Sequence, residues 1–433
     1  MFNLNAFYLL PFIIYYVAAV PTRSADGEMN NIHLPFNSLS NDWFHDDDHP
    51  VHALFKRAPG EDIEFPSIGT PAWASGYPPG PPDPALLPVE WVRALEEAIA
   101  AGKIPDIPQT TNYQGSSPVY PYGINPSSPE ICSSTYKCRI PGDFWDSPNG
   151  VFGSSFDDGP TPSTPLLVDF LSSVNQTTTH FMIGIKMLYQ PTQLQAMIDA
   201  GHDLAIHTWT HPYMTTLDNY QILGQLGWTM QLIYNSTGGR LAKFWRPPYG
   251  DSDRRVTAIA REVFGLRTVI WNYDTDDWIA TPQEIGSSMS QFLAAPKSPG
   301  LMVLSHELTD MMVYAFIKSF PEIGANGWRF SSLAKALEDG RPYQDSSSSG
   351  AHNLHPDGIV LDVEPYTSTE LTPSPSATDL VTSSAITPSP SAISANTADV
   401  TKSSTALRTF PLYLPVYIYL WTFCAIGALG FSL

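Results

Sequence analysis

Two short polar segments combine residue types that bind divalent metals and activate water. In the first, Asp157 and Asp158 stand side by side before a Gly-Pro turn. Neighbouring carboxylates repel each other, so a positive charge is expected to hold them. In the second, His207 and His211 follow a buried strand, and both face one ion if the segment begins a helical turn. Two histidines and a carboxylate leave coordination positions open for water, which suits hydrolysis.

Three further segments carry groups that can assist such a reaction. Arg246 precedes a Pro-Pro pair and can hold a carboxylate by bidentate bonds. Tyr249 lies near a predicted helix start, where a free main-chain N–H stabilises an oxyanion. His306 ends an apolar run and can act as a general acid, oriented by an aspartate of the segment 274–277. Taken singly, each segment is equally consistent with an ordinary turn, a rigid connection or a structural histidine.

Alternating apolar runs and amphipathic stretches must position these groups. The runs that predict buried strands are His180–Ile185, Asp203–His207, Arg267–Trp271 and Leu301–His306. The stretches that predict helices are Thr164–Ser173, Thr192–Ala200, Leu217–Tyr234, Ser252–Phe264, Pro282–Leu293 and Thr309–Phe320, with an earlier one at Val89–Ala101. The alternation predicts an α/β fold with a largely parallel sheet that can close into a barrel. The polar segments fall at the carboxyl ends of strands, where such folds place their chemistry.

In this order, the segments resemble the five motifs of the polysaccharide deacetylase family, carbohydrate esterase family 4. SFDDGP resembles the family's TFDDGP with Ser155 in place of threonine, and HTWTHP, RPPYG, DTDDW and LMVLSH resemble the other four. The last of these has Met302 where leucine is usual. The resemblance covers about residues 150–342, and it implies a distorted, incomplete (β/α) barrel.

The resemblance also implies a metal site and an acid–base pair. Asp158, His207 and His211 would bind one divalent ion, zinc or cobalt. Asp157 would act as the general base on the attacking water. His306 would act as the general acid and protonate the departing amine.

Five more residues would form the substrate site by the same resemblance. Arg246 would hold the general base, and the Tyr249 main chain would contribute to the oxyanion hole. Asp274 would tether the general acid, although two other aspartates in that motif leave the choice open. Trp278 and Leu304 would line the pocket for the acetyl methyl group.

The activity implied is hydrolysis of the N-acetyl groups of N-acetylglucosamine units in chitin, giving chitosan and acetate. Peptidoglycan, xylan esters and short chito-oligosaccharides are alternative substrates that the motifs do not distinguish. A second class of function is a wall-bound carbohydrate-binding protein without catalysis. Such a protein would tolerate loss of Asp157, Arg246 or His306, and all three are present.

Composition restricts the partners and the compartment. The net charge of −20 argues against nucleic acid, whose phosphates select basic surfaces. An acidic surface suits a neutral polymer or one that becomes cationic as amines are unmasked, although solubility alone also explains it. Cys132 and Cys138 lie close together and would form a local disulfide in a secreted chain. We expect a monomer.

The two ends predict export and lipid anchoring. Residues 1–20 contain an apolar run followed by small residues, typical of a secretory signal peptide. Residues 409–433 are apolar and follow a polar spacer and small residues, which favours a glycosylphosphatidylinositol (GPI) anchor signal over a tail-anchored transmembrane helix. Asn396 is the expected attachment residue. The mature protein would then be held at the outer face of the plasma membrane and in the cell wall.

The chain divides into further segments by composition. Residues 21–70 form an acidic flexible segment or a pro-segment that contains the dibasic pair Lys56-Arg57. Its HDDDH run at 45–49 is expected to be solvated and flexible rather than a metal site. Residues 71–149 form an N-terminal extension, 150–343 the catalytic domain, and 344–408 a Ser/Thr/Pro-rich stalk. Sequons begin at Asn175 and Asn235, which predicts N-glycosylation of a secreted chain.

Overall fold

The computed structural model describes residues 43–46, 48–55, 65–113 and 116–344. The predicted signal peptide, the dibasic pair, the stalk beyond residue 344, the anchor site Asn396 and the apolar tail lie outside the described residues. Within the described part of the chain, no helix combines the length and the apolar character that crossing a bilayer requires.

Eight parallel strands form one sheet. They are β1 (Val151–Gly159), β2 (Thr179–Met182), β3 (Asp203–Ile206), β4 (Phe244–Trp245), β5 (Arg267–Thr268), β6 (Tyr273–Asp274), β7 (Leu301–Leu304) and β8 (Arg329–Ser332). The order is β5-β4-β3-β2-β1-β7-β6, and β8 also pairs with β1. In the described residues β5 and β6 do not pair with each other, so the barrel is incomplete. The predicted fold is confirmed.

Helices connect most of the strands and cover the outside of the sheet. They are α1 (Val51–Leu54), α2 (Pro71–Ala74), α3 (Val89–Ala100), α4 (Thr164–Ser173), α5 (Gly184–Tyr189), α6 (Pro191–Asp199), α7 (Asn219–Ser236), α8 (Arg254–Phe264), α9 (Pro282–Leu293), α10 (Asp310–Ala325) and α11 (Leu333–Ala336). Short 3₁₀ turns occupy Pro84–Leu86, Ser134–Tyr136, Met214–Thr216 and Pro248–Gly250. The predicted helices are present, but α10 continues past Phe320 through Pro321.

The predicted strands are present but shorter than their apolar runs. The run from His180 to Ile185 ends as a strand at Met182, and α5 begins at Gly184. A Cβ at position 184 would overlap the Trp209 ring, so only glycine lets this helix start against that side chain. Four strands, β1, β4, β6 and β8, were not predicted. β4 and β6 are two residues long, too short for a periodic pattern. β8 contains an arginine and two serines, and β1 is rich in glycine and serine.

The barrel interior is small and apolar below the site. Phe181, Ala205, Phe244, Val269 and Met302 fill it from neighbouring strands, and all are essentially buried. Burying a side chain such as Phe181 stabilises the fold by about 1.5–3 kcal/mol. The interior is therefore a packed support for the groups at the carboxyl ends of the strands.

The segment expected to be flexible is partly a packed element. Val51 and Phe55 are buried in the same cluster as Trp91, so the prediction of flexibility is wrong for residues 51–55. Apolar residues interrupt the acidic run here and pack against the core. His49 is also fixed, because its Nε2–H donates to the carbonyl of Arg261 and its Nδ1 accepts from the Val51 N–H. Both ring nitrogens are used, which leaves neither for a metal.

The N-terminal extension is tied to the catalytic region. Cys132 and Cys138 form the predicted disulfide. Within that loop the Ser134 hydroxyl donates to the Gly250 carbonyl at 2.7 Å and accepts from the Ser252 N–H at 3.0 Å. The extension therefore braces the segment that follows Tyr249.

Candidate active site

An irregularity in β1 brings two neighbouring carboxylates to one site. In a regular strand Asp157 and Asp158 would point to opposite faces. The pairing with β2 shifts between Asp157 and Gly159, and Asp158 adopts a left-handed conformation with φ 71°. As a result, both side chains approach the same imidazole, with Asp157 Oδ2 at 3.9 Å and Asp158 Oδ1 at 3.3 Å from Nε2 of His207.

Asp158, His207 and His211 form a three-residue cluster that fits a divalent metal. Their candidate ligand atoms lie within 4.8 Å of one another, and Asp158 Oδ1 is 3.1 Å from His211 Nε2. The Nδ1–H of His207 donates to the Arg246 carbonyl at 2.7 Å, so the Nε2 lone pair faces the carboxylate. Metal-binding histidines are oriented by such a bond on the other nitrogen. In the described residues this is the only such cluster.

The protonation of these groups also suits a metal. Burial pushes the pKa of Asp158 up, but its contacts with His207 and His211 outweigh burial and hold that pKa well below its ordinary value. Burial lowers the pKa of His211, which favours the neutral ring. An ionised carboxylate and neutral imidazoles are the forms that bind metal.

The two histidines converge through a turn rather than through the expected helical turn. Thr208 and His211 have positive φ angles of 65° and 62°, which bend the chain back on itself. The Thr208 hydroxyl oxygen accepts from the His211 N–H at 3.0 Å. Gln225 of α7 fixes the same turn, since its Oε1 accepts from the N–H groups of Trp209 and Thr210, each at 2.9 Å.

Asp157 is buried and paired with a buried arginine. Arg246 Nη1 donates to Asp157 Oδ1 at 2.6 Å and to the Ser155 hydroxyl at 3.1 Å. The contact runs through one nitrogen, so the bidentate bond expected from sequence is wrong. The guanidinium also lies 4.1 Å from the centre of the Phe181 ring, within cation–π range. Burial lowers the pKa of Arg246, opposed by the charge of Asp157.

Asp277, not Asp274, holds His306. The His306 Nδ1–H donates to Asp277 Oδ1 at 2.6 Å, and Asp277 Oδ2 accepts from the His306 N–H at 2.8 Å. Asp274 instead accepts from the Asp276 N–H and lies close enough to Arg246 to act on its pKa. The prediction of Asp274 as the tether is wrong, because β6 ends at Asp274 and the following turn delivers the later aspartate to β7.

The three remaining predicted residues lie at the ends of the same segments. Tyr249 has φ 59° within a 3₁₀ turn, and its ring stacks on Tyr213 at 4.1 Å between centroids. It does not lie at the start of α8, which begins at Arg254. Trp278, next to the tether, is 58% exposed, whereas Leu304 is buried at the end of β7. The assigned roles of Tyr249, Trp278 and Leu304 stay predictions.

Sequence reasoning missed two polar partners in the site. Lys186 of α5 donates from Nζ to the Asp158 carbonyl at 2.8 Å. Burial lowers the pKa of this lysine. Ser155, noted only as a departure from the family motif, binds Arg246. The position of Lys186 just after β2 was an available signal, since residues that follow a strand end lie at the catalytic edge of the sheet.

Comparison with known proteins places this geometry in a family. A family model described as polysaccharide deacetylase matches residues 146–269. The chain is 38% identical over 307 residues to chitin deacetylase 3 of Cryptococcus neoformans var. neoformans serotype D, covering 68% of this chain and 72% of that protein. It is 34% identical over 202 residues to a chitin deacetylase of Amylomyces rouxii, covering 45% of this chain and 47% of that protein.

Two solved structures are also similar to parts of the chain. The chitin deacetylase from Colletotrichum lindemuthianum is 23% identical with a TM-score of 0.42, covering 49% of this chain and 97% of that chain. A family 4 carbohydrate esterase from Streptomyces lividans in complex with acetate is 31% identical with a TM-score of 0.38, covering 43% and 93%. Because the match to the Cryptococcus protein extends over more than two thirds of both sequences, this chain belongs to the polysaccharide deacetylase family.

Proposed function

We propose that this enzyme hydrolyses the N-acetyl groups of N-acetylglucosamine units in chitin, giving chitosan and acetate. The observation that carries the proposal is the convergence of three elements at the carboxyl ends of β1, β3 and β7. They are the cluster of Asp158, His207 and His211, the carboxylate of Asp157 and the imidazole of His306. The Asp157 N–H donates to the Ser305 carbonyl at 2.9 Å, so Asp157 and the segment of His306 lie side by side, which supports their proposed roles as base and acid.

Asp157 is suited to act as the general base. Arg246 donates to one of its oxygens, which fixes the direction of the carboxylate. Its other oxygen, Oδ2, is the one nearer His207. A water on that side of the carboxylate would lose its proton to Oδ2 as its oxygen bonds to the acetyl carbon.

His306 is suited to act as the general acid. Burial alone lowers its pKa, but the hydrogen bond and charge of Asp277 outweigh burial and raise the pKa to about 9. The ring is therefore protonated near neutral pH. It would donate the Nε2 proton to the sugar nitrogen as the carbon–nitrogen bond breaks, releasing acetate and a free amine.

Asp158, His207 and His211 would hold a divalent metal, and the donor set described above fits one. When bound, such an ion would acidify a coordinated water and polarise the acetamide carbonyl. The three residues leave the remaining coordination positions to water and substrate, as in a catalytic rather than a structural site. Zinc and cobalt are the metals proposed.

Chitin is proposed as the substrate on the strength of the relatives. The two curated relatives described above are named chitin deacetylases, one of them matched over most of its length. The net charge of −20 is compatible with a product that gains positive amines as the reaction proceeds.

The experiment measures acetate release from chitin oligomers, acetylated xylan and peptidoglycan in parallel. We expect the highest kcat/KM on chitin oligomers. Chelation should abolish release while the far-ultraviolet circular dichroism stays unchanged, and added zinc or cobalt should restore it. Full activity in metal-free protein would overturn the metal role, and release from xylan or peptidoglycan alone would overturn the substrate.

Secretion with a lipid anchor is part of the proposal. The support is the apolar run within residues 1–20, the small-residue, spacer and apolar-tail order that ends in residues 409–433, and the Cys132–Cys138 disulfide. Disulfides persist mainly in oxidising compartments outside the cytosol. Phosphatidylinositol-specific phospholipase C should release the protein from membranes, and a mature protein that retains Leu433 would contradict the anchor.

A further inference from the structure

A buried chain of three ionisable side chains lies directly behind the catalytic segments. The Glu307 carboxylate is 2.6 Å from His180 Nδ1, and His180 Nε2 is 2.7 Å from His202 Nδ1. Glu307 and His180 are completely buried, and His202 is 4% exposed. None of the three residues has a part in the reaction as proposed above.

Glu307 contacts both catalytic segments at once. It directly follows His306 in the chain, and its N–H donates to the Asp157 carbonyl at 3.4 Å. Its own carbonyl accepts from the Thr161 hydroxyl at 2.5 Å. Its carboxylate lies against Gly159, where an added Cβ would overlap Oε1. One residue therefore joins the segment of the acid to the segment of the base and the metal carboxylate.

His180 and His202 hold the Glu307 side chain in this position. His180 lies in β2 beside β1, and His202 immediately precedes β3, so the chain of bonds is anchored in two strands. Glu307 Oε2 and His202 Nε2 have no partner among the described residues. The His180 bond is thus the polar contact that fixes the carboxylate. Burial lowers the pKa of His202 to about 2, so its ring is neutral.

Packing of the core alone does not require such a network of buried hydrogen bonds. Buried ionic groups are costly to desolvate, and apolar side chains of similar volume often stabilise a fold equally well or better. Polar networks that are buried fix one geometry, because each bond has a defined direction. Where two catalytic groups must stand at fixed distances, a misplacement of about 1 Å can cost about 10²-fold in rate.

We propose that Glu307 is a positioning residue, held by His180 and His202, which sets the geometry between His306 and the Asp157-Asp158 segment. This role rests on the proposed deacetylation, since that reaction uses both segments. Loss of the network should lower kcat rather than raise KM, because none of the three side chains is available to contact the substrate.

The test compares three variants of the full chain with a matched control. Glu307→Leu removes the carboxylate, and His180→Phe keeps the ring volume but removes the bond to Glu307. Glu307→Gln keeps an oxygen that accepts from His180. The control is Gln344→Leu, which removes another completely buried polar side chain, whose Nε2 donates to the carbonyls of Ala242 and Phe264 before β4 and at the end of α8.

The readouts are kcat and KM for acetate release from chitin oligomers, with the thermal midpoint of each variant. We expect kcat to fall about 10- to 100-fold in Glu307→Leu and His180→Phe, with KM within about threefold of wild type. Glu307→Gln should recover most of kcat. Gln344→Leu should lower the thermal midpoint but keep kcat.

Two results would overturn the role. One is that Glu307→Gln and His180→Phe both keep kcat within about twofold of wild type while their thermal midpoints fall. This result can be obtained even if Glu307→Leu does not fold. The other is an equal loss of kcat in Gln344→Leu, which would make the effect one of general stability. A wild-type chain that releases no acetate would overturn the proposed function and this role with it, whereas an active wild type isolates the role.

Discussion

Asp277→Asn removes the charge that keeps the His306 imidazole protonated while changing its shape very little. The asparagine oxygen can still accept from Nδ1–H, and its amide occupies the volume of the lost oxygen. The variant loses the ion pair, which is 2.6 Å long between side chains that are 12% and 4% exposed. It also loses the bond from the His306 N–H, which an amide NH2 cannot accept. Such a short, buried, charge-assisted bond should have a large effect on the ring.

The magnitude follows from the pKa of His306. Burial lowers that pKa. The hydrogen bond and charge of Asp277, followed by the charges of Asp157 and Asp158, raise it by more, to about 9 from the ordinary 6.5. At pH 8 a ring with a pKa of about 9 is roughly nine-tenths protonated, whereas a ring with a pKa of about 6.5 is roughly 3% protonated. Because only the protonated ring can donate to the leaving nitrogen, the variant should be about 30-fold slower at pH 8.

The same shift makes stability depend on pH in a definite direction. The folded-state pKa lies above the unfolded one, so the ion pair contributes fully below pH 6.5 and its contribution is lost as pH rises through about 9. The difference in thermal midpoint between wild type and Asp277→Asn should therefore be largest below pH 6.5. It should shrink towards alkaline pH.

The assay is the pH dependence of kcat/KM for acetate release, with Asp274→Asn as the matched control. In Asp277→Asn the alkaline limb should move down towards pH 6.5, while in Asp274→Asn it should move much less. An alkaline limb that stays in place in Asp277→Asn but moves in Asp274→Asn would refute the tether read from the structure. That result would instead support Asp274, the tether expected from the sequence.

Three further substitutions test other contacts. In Asp157→Asn we expect metal content to be retained and turnover to fall by a factor on the order of 10² to 10⁴, whereas in Asp158→Asn the metal content itself should fall. Measuring metal per chain together with acetate release distinguishes the two variants, and the reverse pattern would exchange the roles of base and ligand. Arg246→Lys should lower kcat about tenfold or more, because a lysine ammonium cannot bond to the buried carboxylate and also stack a planar group on Phe181. An unchanged kcat would contradict the need for the guanidinium. Asn175 is exposed, whereas the side-chain amide of Asn235 donates to a tyrosine hydroxyl at 2.7 Å. We therefore expect only Asn175→Gln to reduce the glycan mass of the protein. An equal loss of mass in Asn235→Gln would contradict that expectation.

The sequence predicted the identity of the site better than its geometry. The polar motifs at Asp157, His207, Arg246 and His306 stand at or near strand ends in the structure, and the apolar runs before His207 and His306 are long enough to predict their strands. The residue types of a metal site, an acid and a base follow from chemistry alone. These residue types do not depend on where a turn bends the backbone.

The parts that sequence could not predict depend on backbone bends and on distant partners. Three aspartates within four positions offer equivalent carboxylates, and only the turn after β6 selects Asp277. The spacing of the two histidines predicts a helical turn. In the structure, however, a turn with two left-handed residues, held by a glutamine from α7, brings them together. The link between His180 and Glu307 joins residues 127 positions apart, and no local pattern reports such a contact.

The shift in pairing at Asp158 shows why one local irregularity carries so much of the site. Without it, strand alternation would direct Asp157 and Asp158 to opposite faces, and only one of them could reach His207. The left-handed φ of 71° at Asp158 is unfavourable for a residue other than glycine, so surrounding contacts must stabilise it. Lys186 binds the Asp158 carbonyl, and Glu307 packs against the next residue. The strain at one residue and the buried polar network beside it are thus two parts of the same arrangement, which lets adjacent carboxylates serve as base and ligand.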